Sequence, residues 1–326
     1  MDKTFIEKEE EKINNDFFEV LDKFIKSSSG KSILTIKKYM TIKKLLIEFK
    51  TQHKRMISFE SMNLEFFDEF TSHLFNRPNQ MSPDVNGLKD DTVHKYITVL
   101  KTFLKWSLER GYHQNHIYQT FVPPRLRKHE IVTLTVEEIS CLEELNLNKN
   151  GRLDRVRDLF LFAYYTGQRW SDVERFNKND IIQDPITKDF YWQFRVYKTK
   201  KVLIIPFVGR ILPAYRILKK YSFEFPAISS QKFNDFLKEV GQKAKLNRIV
   251  RIKRYSGNKQ IIIEKNLHDF MSSHMARRTC VTHLLEDGIP PTTVMKLTDH
   301  QDLKTILKYE NTSLKALKDA LTNKVA

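Results

Sequence analysis

The sequence predicts a mainly α-helical protein with a small β component, divided into two domains. Three observations carry that reading. Apolar residues recur at helical spacing through most of residues 14–121. A proline-rich, basic stretch at 122–130 then interrupts the pattern, as a linker does. Alternating, β-branched segments occur only beyond it, near 190–206 and 249–263. A length of 326 residues accommodates two domains of ordinary size, and a 40% hydrophobic content suffices for their cores.

Residues 1–13 form a charged lead without the apolar stretch of a signal peptide. A first helix carries Phe17, Leu21, Phe24 and Ile25 on one side and stops at Ser27-Ser28-Ser29-Gly30. A second, from about Leu34 to Lys50, places Tyr39, Ile42, Leu45, Leu46 and Phe49 inward and Lys37, Lys38, Lys43 and Lys44 outward. A third runs from about Leu64 to Phe75, and residues 76–90 read as a loop. A fourth, from about Thr92 to Arg110, is strongly periodic, with Lys95, Lys101 and Lys105 opposite its apolar stripe and Gly111 at its end. One lysine on a helix is ordinarily a solvated side chain. Two basic helix faces in a chain with 56 Lys+Arg against 40 Asp+Glu, net +16, point instead to a polyanion. No apolar run reaches the ~18 residues of a membrane span. Two cysteines, Cys141 and Cys280, make neither a disulfide framework nor a zinc spacing. A cytoplasmic protein with no metal and no cofactor is expected.

The linker, with Pro123, Pro124, Arg125 and Arg127, separates a second domain over 131–326. Thr135 and Glu138 suit a capping box. Residues 151–166 turn apolar nearly all round from Leu159 to Tyr165, as a buried helix does, and Gly167 suits its C-cap. Ser171 and Glu174 suggest another capping box, so a helix should start just after Arg169 and leave that arginine by anion-binding N–H groups. A hairpin follows, Phe190 to Tyr197 and Val202 to Pro206, with Lys198-Thr199-Lys200-Lys201 between its strands. Helices at about 210–221 and 229–246 precede a basic hairpin that includes Arg254.

The segment from His274 to Tyr309 ties these elements together. Arg277, Val281 and Leu284 share a helical face, so an arginine points where apolar side chains pack. Such burial is unfavourable unless an anion or acceptors meet the charge. Gly288 and Pro290-Pro291 end that helix, a short one leads to His300, and Asp302 can cap a last turn ending at Tyr309. A further helix from Ser313 carries Leu314, Leu317 and Leu321 on one side.

The order His274-Met275-Ala276-Arg277, Leu297-Thr298-Asp299-His300 and Tyr309 resembles the catalytic boxes of tyrosine recombinases, the phage integrase family. Thr166-Gly167-Gln168-Arg169-Trp170-Ser171-Asp172-Val173 resembles the family's first arginine box, and Lys198-Thr199 before Ile204-Ile205-Pro206 its lysine hairpin. One departure stands out: Thr298-Asp299 stands where a glycine usually precedes the histidine. The resemblance implies a SAM-like, helical core-binding domain over 14–121 and a mixed α+β catalytic domain. It implies that Tyr309 is the nucleophile, that Arg169 and Arg277 clamp the phosphate, and that Lys198 protonates the leaving oxygen, with Lys200 and Lys201 as its rivals. His274 would accept the tyrosine proton and His300 would bond the phosphate. Double-stranded DNA would be the partner, met by Lys37, Lys43, Lys95, Lys101, Lys105, Arg125, Lys200, Lys201 and Arg254. The resemblance implies integration or excision of a mobile element through a 3′-phosphotyrosine intermediate: a chain monomeric without DNA would assemble as four protomers on two sites, with DNA-bending accessory proteins where that element uses them. A type IB topoisomerase-like strand transferase and an inactive DNA-binding relative are the alternatives. The basic clamp predicts steep salt dependence: log K for duplex DNA should fall by about 0.9 per phosphate neutralised for each decade of salt. A binding titration that stays flat from low to moderate salt would remove the polyanion reading.

Overall fold

The computed structural model describes residues 16–78, 87–127, 130–257 and 259–309. The charged lead and the helix expected after Ser313 lie outside them. The chain divides into two compact units, one of residues 1–129 with 253–262, the other of 130–252 with 263–326.

In the first unit α1 (Phe17–Ser27), α2 (Ile33–His53), α3 (Leu64–Asn76) and α4 (Asp90–Leu108) surround an aromatic core. Asp16, Ser32 and Asn63 cap the first three through side-chain acceptors, as short polar residues at N-caps do. α2 runs past its expected end at Lys50 to His53, where Lys54 turns left-handed. Phe17, Phe24, Phe49, Phe66 and Phe103 are all at most 2% exposed. Phe17 meets Phe103 edge to face, with centroids 5.2 Å apart. Within this unit Ser256 Oγ donates to Leu88 O at 3.0 Å and the Gly257 amide donates to Asp90 Oδ1 at 2.7 Å. Periodicity alone assigned residues 253–262 to the second domain, because a local pattern does not say which core a hairpin tip joins.

The second unit is built on α6 (Gly151–Thr166), preceded by α5 (Val136–Glu143). The capping box at Thr135 and Glu138 forms. Leu159 through Tyr164 are all buried, because α8 (Leu212–Lys220), α9 (Ser230–Lys243) and α11 (Ser273–Glu286) pack around α6. The second expected capping box does not form. The helix there, α7 (Trp170–Val173), is a single turn whose N-cap is Arg169 itself, and Glu174 falls at its C-terminal end. Strands β1 (Ile181–Gln183), β2 (Phe190–Arg195) and β3 (Val202–Pro206) form an antiparallel sheet in that order. β1 is too short to show alternation, so sequence reading passed over it. Trp192 opposite Ile205 fixes the β2–β3 register, and both are fully buried. Strands β4 (Ile249–Ser256) and β5 (Lys259–Asn266) pair with each other and lead to the short α10 (Leu267–Phe270). After α11 come α12 (Pro291–Thr298) and α13 (Leu303–Ile306), capped by Asp302. Tyr309 lies just beyond α13, its amide donating to Ile306 O at 2.8 Å.

Gly167 closes α6 at φ 68°. A Cβ there would stand 3.0 Å from Thr298 Cγ2 and 3.1 Å from Cys280 Sγ. Only glycine meets both demands. Gly167→Ala should therefore destabilise the second unit by at least the ~1–2 kcal/mol of a left-handed L-residue, read as a lower midpoint in urea; an unchanged midpoint would contradict this packing.

Candidate active site

Two helix ends and a helix face converge in the second unit. Arg277, on the α11 face turned to α6, is 1% exposed. Its Nη1 donates to Gly167 O at 3.1 Å and its Nη2 to Thr298 O at 2.5 Å. These carbonyls lie at the C-terminal ends of α6 and α12, where backbone dipoles favour a cation. Burial and the charge of Arg169 still push the Arg277 pKa down to about 10, so it stays protonated near neutrality.

Arg169 lies beside it as the N-cap residue of α7. Its Nη1 donates to Asp299 Oδ2 at 3.3 Å and its Nη2 to Asp299 O at 3.1 Å. Asp299, 6% exposed, sits in the left-handed region at φ 51°. That explains how the chain does without the expected glycine, since aspartate tolerates this backbone better than most residues. The same Oδ2 accepts from Thr199 Oγ1 at 2.8 Å, in the turn between β2 and β3. Asp172, also buried, accepts from the Tyr197 amide at 2.8 Å through Oδ1. Lys198 is thus exposed between two anchored neighbours. Of its rivals, Lys200 lies over the Tyr197 ring at 4.6 Å and Lys201 donates to Gln301 Oε1 at 2.6 Å.

His300 has a defined tautomer. Thr298 Oγ1 donates to Val294 O at 2.6 Å, so its 2.7 Å contact to His300 Nδ1 is accepted from an Nδ1–H. Nε2 then carries the lone pair. Arg277 Nη2 is 3.2 Å from Nδ1 and 3.3 Å from Nε2, and only Nε2 can accept from it. Burial, then Arg277, Arg169 and His274, push the His300 pKa down to about 3. The expected donation from His300 to a phosphate therefore requires the phosphate first to favour a protonated ring. His274 is exposed, yet desolvation, then the charges of Arg278, Arg277 and Arg169, lowers its pKa to about 4. Tyr309 is half-buried, its ring centroid 6.3 Å from that of His300.

The six expected catalytic residues all belong to this one unit, and five are joined by contacts or by electrostatic coupling around Arg277; Lys198 is tied in through Thr199. Sequence reading missed Asp172 and the bonding role of Asp299. The signal for Asp299 was present, as a side chain standing where glycine is usual. The expected DNA-contact residues of the first unit divide. Lys37, Lys95 and Arg125 are exposed. Lys43 is paired with Asp22 at 2.7 Å, and Lys105 is 3.8 Å from Glu109. Lys101 donates to Gln119 O and Phe121 O, at 3.1 and 2.7 Å, so it braces the chain leading to the linker. Arg254 is half-buried; burial, then the charge of Arg254, lowers the Lys89 pKa.

Two guanidiniums, two imidazoles and a phenol thus lie in one part of the second unit. Residues 133–315 match the model described as the phage integrase family, and residues 16–128 match the phage integrase SAM-like domain. The chain belongs to the phage integrase family, the tyrosine recombinases, which cleave and rejoin DNA strands. It is 27% identical over 222 residues to a tyrosine recombinase of Thermosipho africanus, covering 68% of this chain and 71% of that one. Its fold is that of a lambda integrase (75–356) dimer bound to a COC' core site, at TM-score 0.66 and 14% identity, covering 90% of this chain and 95% of that one. A lambda integrase tetramer bound to a Holliday junction gives TM-score 0.62 at 14% identity, covering 90% and 76%. Among the described residues no helix is long and apolar enough to cross a membrane.

The histidines set an acid limb. Both folded pKa values lie below the ordinary 6.5, so the neutral forms favour folding. Their contribution is present above about pH 6.5 and is lost as pH falls through about 4 and 3. His73, His113 and His283, lowered by burial, act in the same direction. The melting temperature without DNA should drop across this window, and a His274→Asn/His300→Asn variant should drop less. Equal slopes for both proteins would show that the two rings are not held neutral.

Proposed function

We propose that this chain is a site-specific recombinase that integrates or excises a mobile element through a 3′-phosphotyrosine intermediate. The observation that carries the reading is the buried Arg277, held by two helix-end carbonyls beside Arg169, His300 and Tyr309. Preorganised donors of this kind stabilise charge that develops on phosphate oxygens without reorganising at the moment of reaction. Tyr309 Oη attacks phosphorus while the bond to the 5′ oxygen breaks. His274, neutral in the cleft, takes the phenolic proton. Lys198 supplies a proton to the departing 5′ oxygen. The phosphotyrosine bond conserves the energy of the cleaved linkage, so a 5′-hydroxyl of another strand can reverse the step with no nucleotide cofactor. His300 donates to the phosphate once the anion has raised its proton affinity.

Duplex DNA is the substrate and the protein works as an oligomer; a tetramer on two sites, as in the lambda integrase complex with a Holliday junction, is the arrangement proposed for this chain. The exposed lysines Lys37 and Lys95, with Arg125 in the linker, are proposed to contact phosphates, and their removal should weaken binding uniformly across sequences.

Tyr309→Phe should abolish the covalent protein–DNA adduct on suicide duplexes while leaving binding unchanged. Arg169→Ala should slow adduct formation by ~10²–10³. Lys198→Ala should be restored by DNA with a 5′-thiol leaving group, which departs without a proton, whereas Tyr309→Phe should not. Peptide mapping that located the DNA on another tyrosine would overturn the assignment. Chelators should leave cleavage intact; loss restored by a divalent ion would indicate a nuclease mechanism instead.

A further inference from the structure

Asp299 carries more contacts than a helix C-cap requires. Its backbone is left-handed, the conformation glycine adopts most freely, so its side chain is not needed to make the turn. That side chain is nonetheless buried and bonded at both oxygens. Oδ2 accepts from Arg169 Nη1 at 3.3 Å and from Thr199 Oγ1 at 2.8 Å. Oδ1 accepts from Gln301 Nε2 at 2.6 Å, and Gln301 Oε1 accepts from Lys201 Nζ, also at 2.6 Å. The turn from 198 to 201 is therefore tied twice to the segment just after α12, directly through Thr199 and by relay through Lys201. Both ties end on the carboxylate of Asp299.

Bonds within the hairpin do not replace these ties. The Val196 amide donates to Lys201 O at 2.8 Å and the Lys200 amide to Val196 O at 2.9 Å. Arg195 Nη1 donates to Lys200 O at 3.0 Å. Lys200 itself is left-handed at φ 63°. Such bonds fix the turn's own ring of atoms. The bond from the Tyr197 amide to Asp172 Oδ1, 2.8 Å, anchors the entry to the turn, and Asp299, which bonds both Arg169 and Thr199, anchors the residue after Lys198 and so sets the tilt toward Arg169.

We infer that Asp299 is a positioning residue that latches the Lys198-bearing turn to Arg169, so that the proton donor and the phosphate clamp are held in one register. This rests on Lys198 being the acid of the reaction proposed above. In that step the bond from phosphorus to the 5′ oxygen breaks, the bond to Tyr309 Oη forms, and the Lys198 proton goes to the departing oxygen. The latch touches none of these atoms. It acts through Thr199 on where the ammonium stands.

The leaving group separates this role from a merely structural one. The probe is a nicked suicide duplex built on a site that the wild-type chain selects from random duplexes, made with either oxygen or sulfur at the scissile 5′ position. Asp299→Gly should keep the left-handed turn, since glycine accepts that backbone, and should melt below wild type for the lost carboxylate bonds while remaining folded by circular dichroism at the assay temperature. It should form adduct about tenfold or more slowly on the oxygen duplex, part of the ~10²–10⁴ that a positioned acid contributes. It should regain the wild-type rate on the sulfur duplex. Thr199→Val should behave the same way. Asp299→Asn, whose amide oxygen still accepts from Thr199 but whose Nδ2 cannot accept from Gln301, keeps the direct tie and loses the relay, so its rate on the oxygen duplex should fall between those of the wild type and Asp299→Gly. Equal loss on both duplexes would mean that Asp299 acts through Arg169 alone, and a faster Asp299→Gly would mean that it competes with the phosphate; either overturns the latch. Absence of adduct from the wild-type chain on both duplexes would instead remove the underlying reaction.

Discussion

A guanidinium in the interior of the second unit is the constraint on which the site depends. A buried charge is stable only where acceptors replace the lost water. Arg277 finds them at the ends of two helices, in the Gly167 and Thr298 carbonyls. That solution dictates much else. α6 must stop where it does, in a left-handed glycine that leaves room for Thr298 and Cys280. α12 must end beside it, and Gln168 joins the two ends by donating to Thr166 O and Leu297 O. The one arginine thus ties three helices together through two carbonyls.

The residues around it answer two electrostatic demands. Arg169 and Arg277 repel, and each histidine is driven neutral by burial together with that surplus of positive charge. Asp172 and Asp299 offset part of it from the buried side. In the proposed reaction a phosphodiester would supply the missing anion and meet donors already in place. The same surplus keeps His274 unprotonated at neutral pH, which an isolated histidine near its ordinary pKa does only in part.

How much of this was legible in the sequence varied with the range of the interaction. The helices of both units follow from apolar spacing, and the buried run Leu159–Tyr164 announced the central helix through its lack of a polar face. The family boxes at Arg169, His274, Arg277, His300 and Tyr309 were legible because each is a short run of residues in a recognisable order and spacing. Local rules failed where a competing tertiary partner intervened. Ser171 and Glu174 spell a capping box, yet Arg169 takes the N-cap and α7 is one turn long. Lys43 and Lys101 look like free cations on helix faces, yet they meet Asp22 and the carbonyls of Gln119 and Phe121.

The sequence by itself determined the two-domain division near the linker, the helical content and the positive charge, because periodicity and composition are properties of neighbouring residues, and its resemblance to the family's short boxes supplied the candidates for the site. Only the tertiary structure decided how those side chains work together. Arg277 and Gly167 are far apart in the chain, as are Thr199 and Asp299, yet each pair is bonded. Hydrogen bonds and pKa values depend on distances of a few ångströms between such segments, and no local pattern encodes them. The tautomer of His300, the neutrality of His274 and the bonding of Asp299 to the lysine turn all arise from that packing.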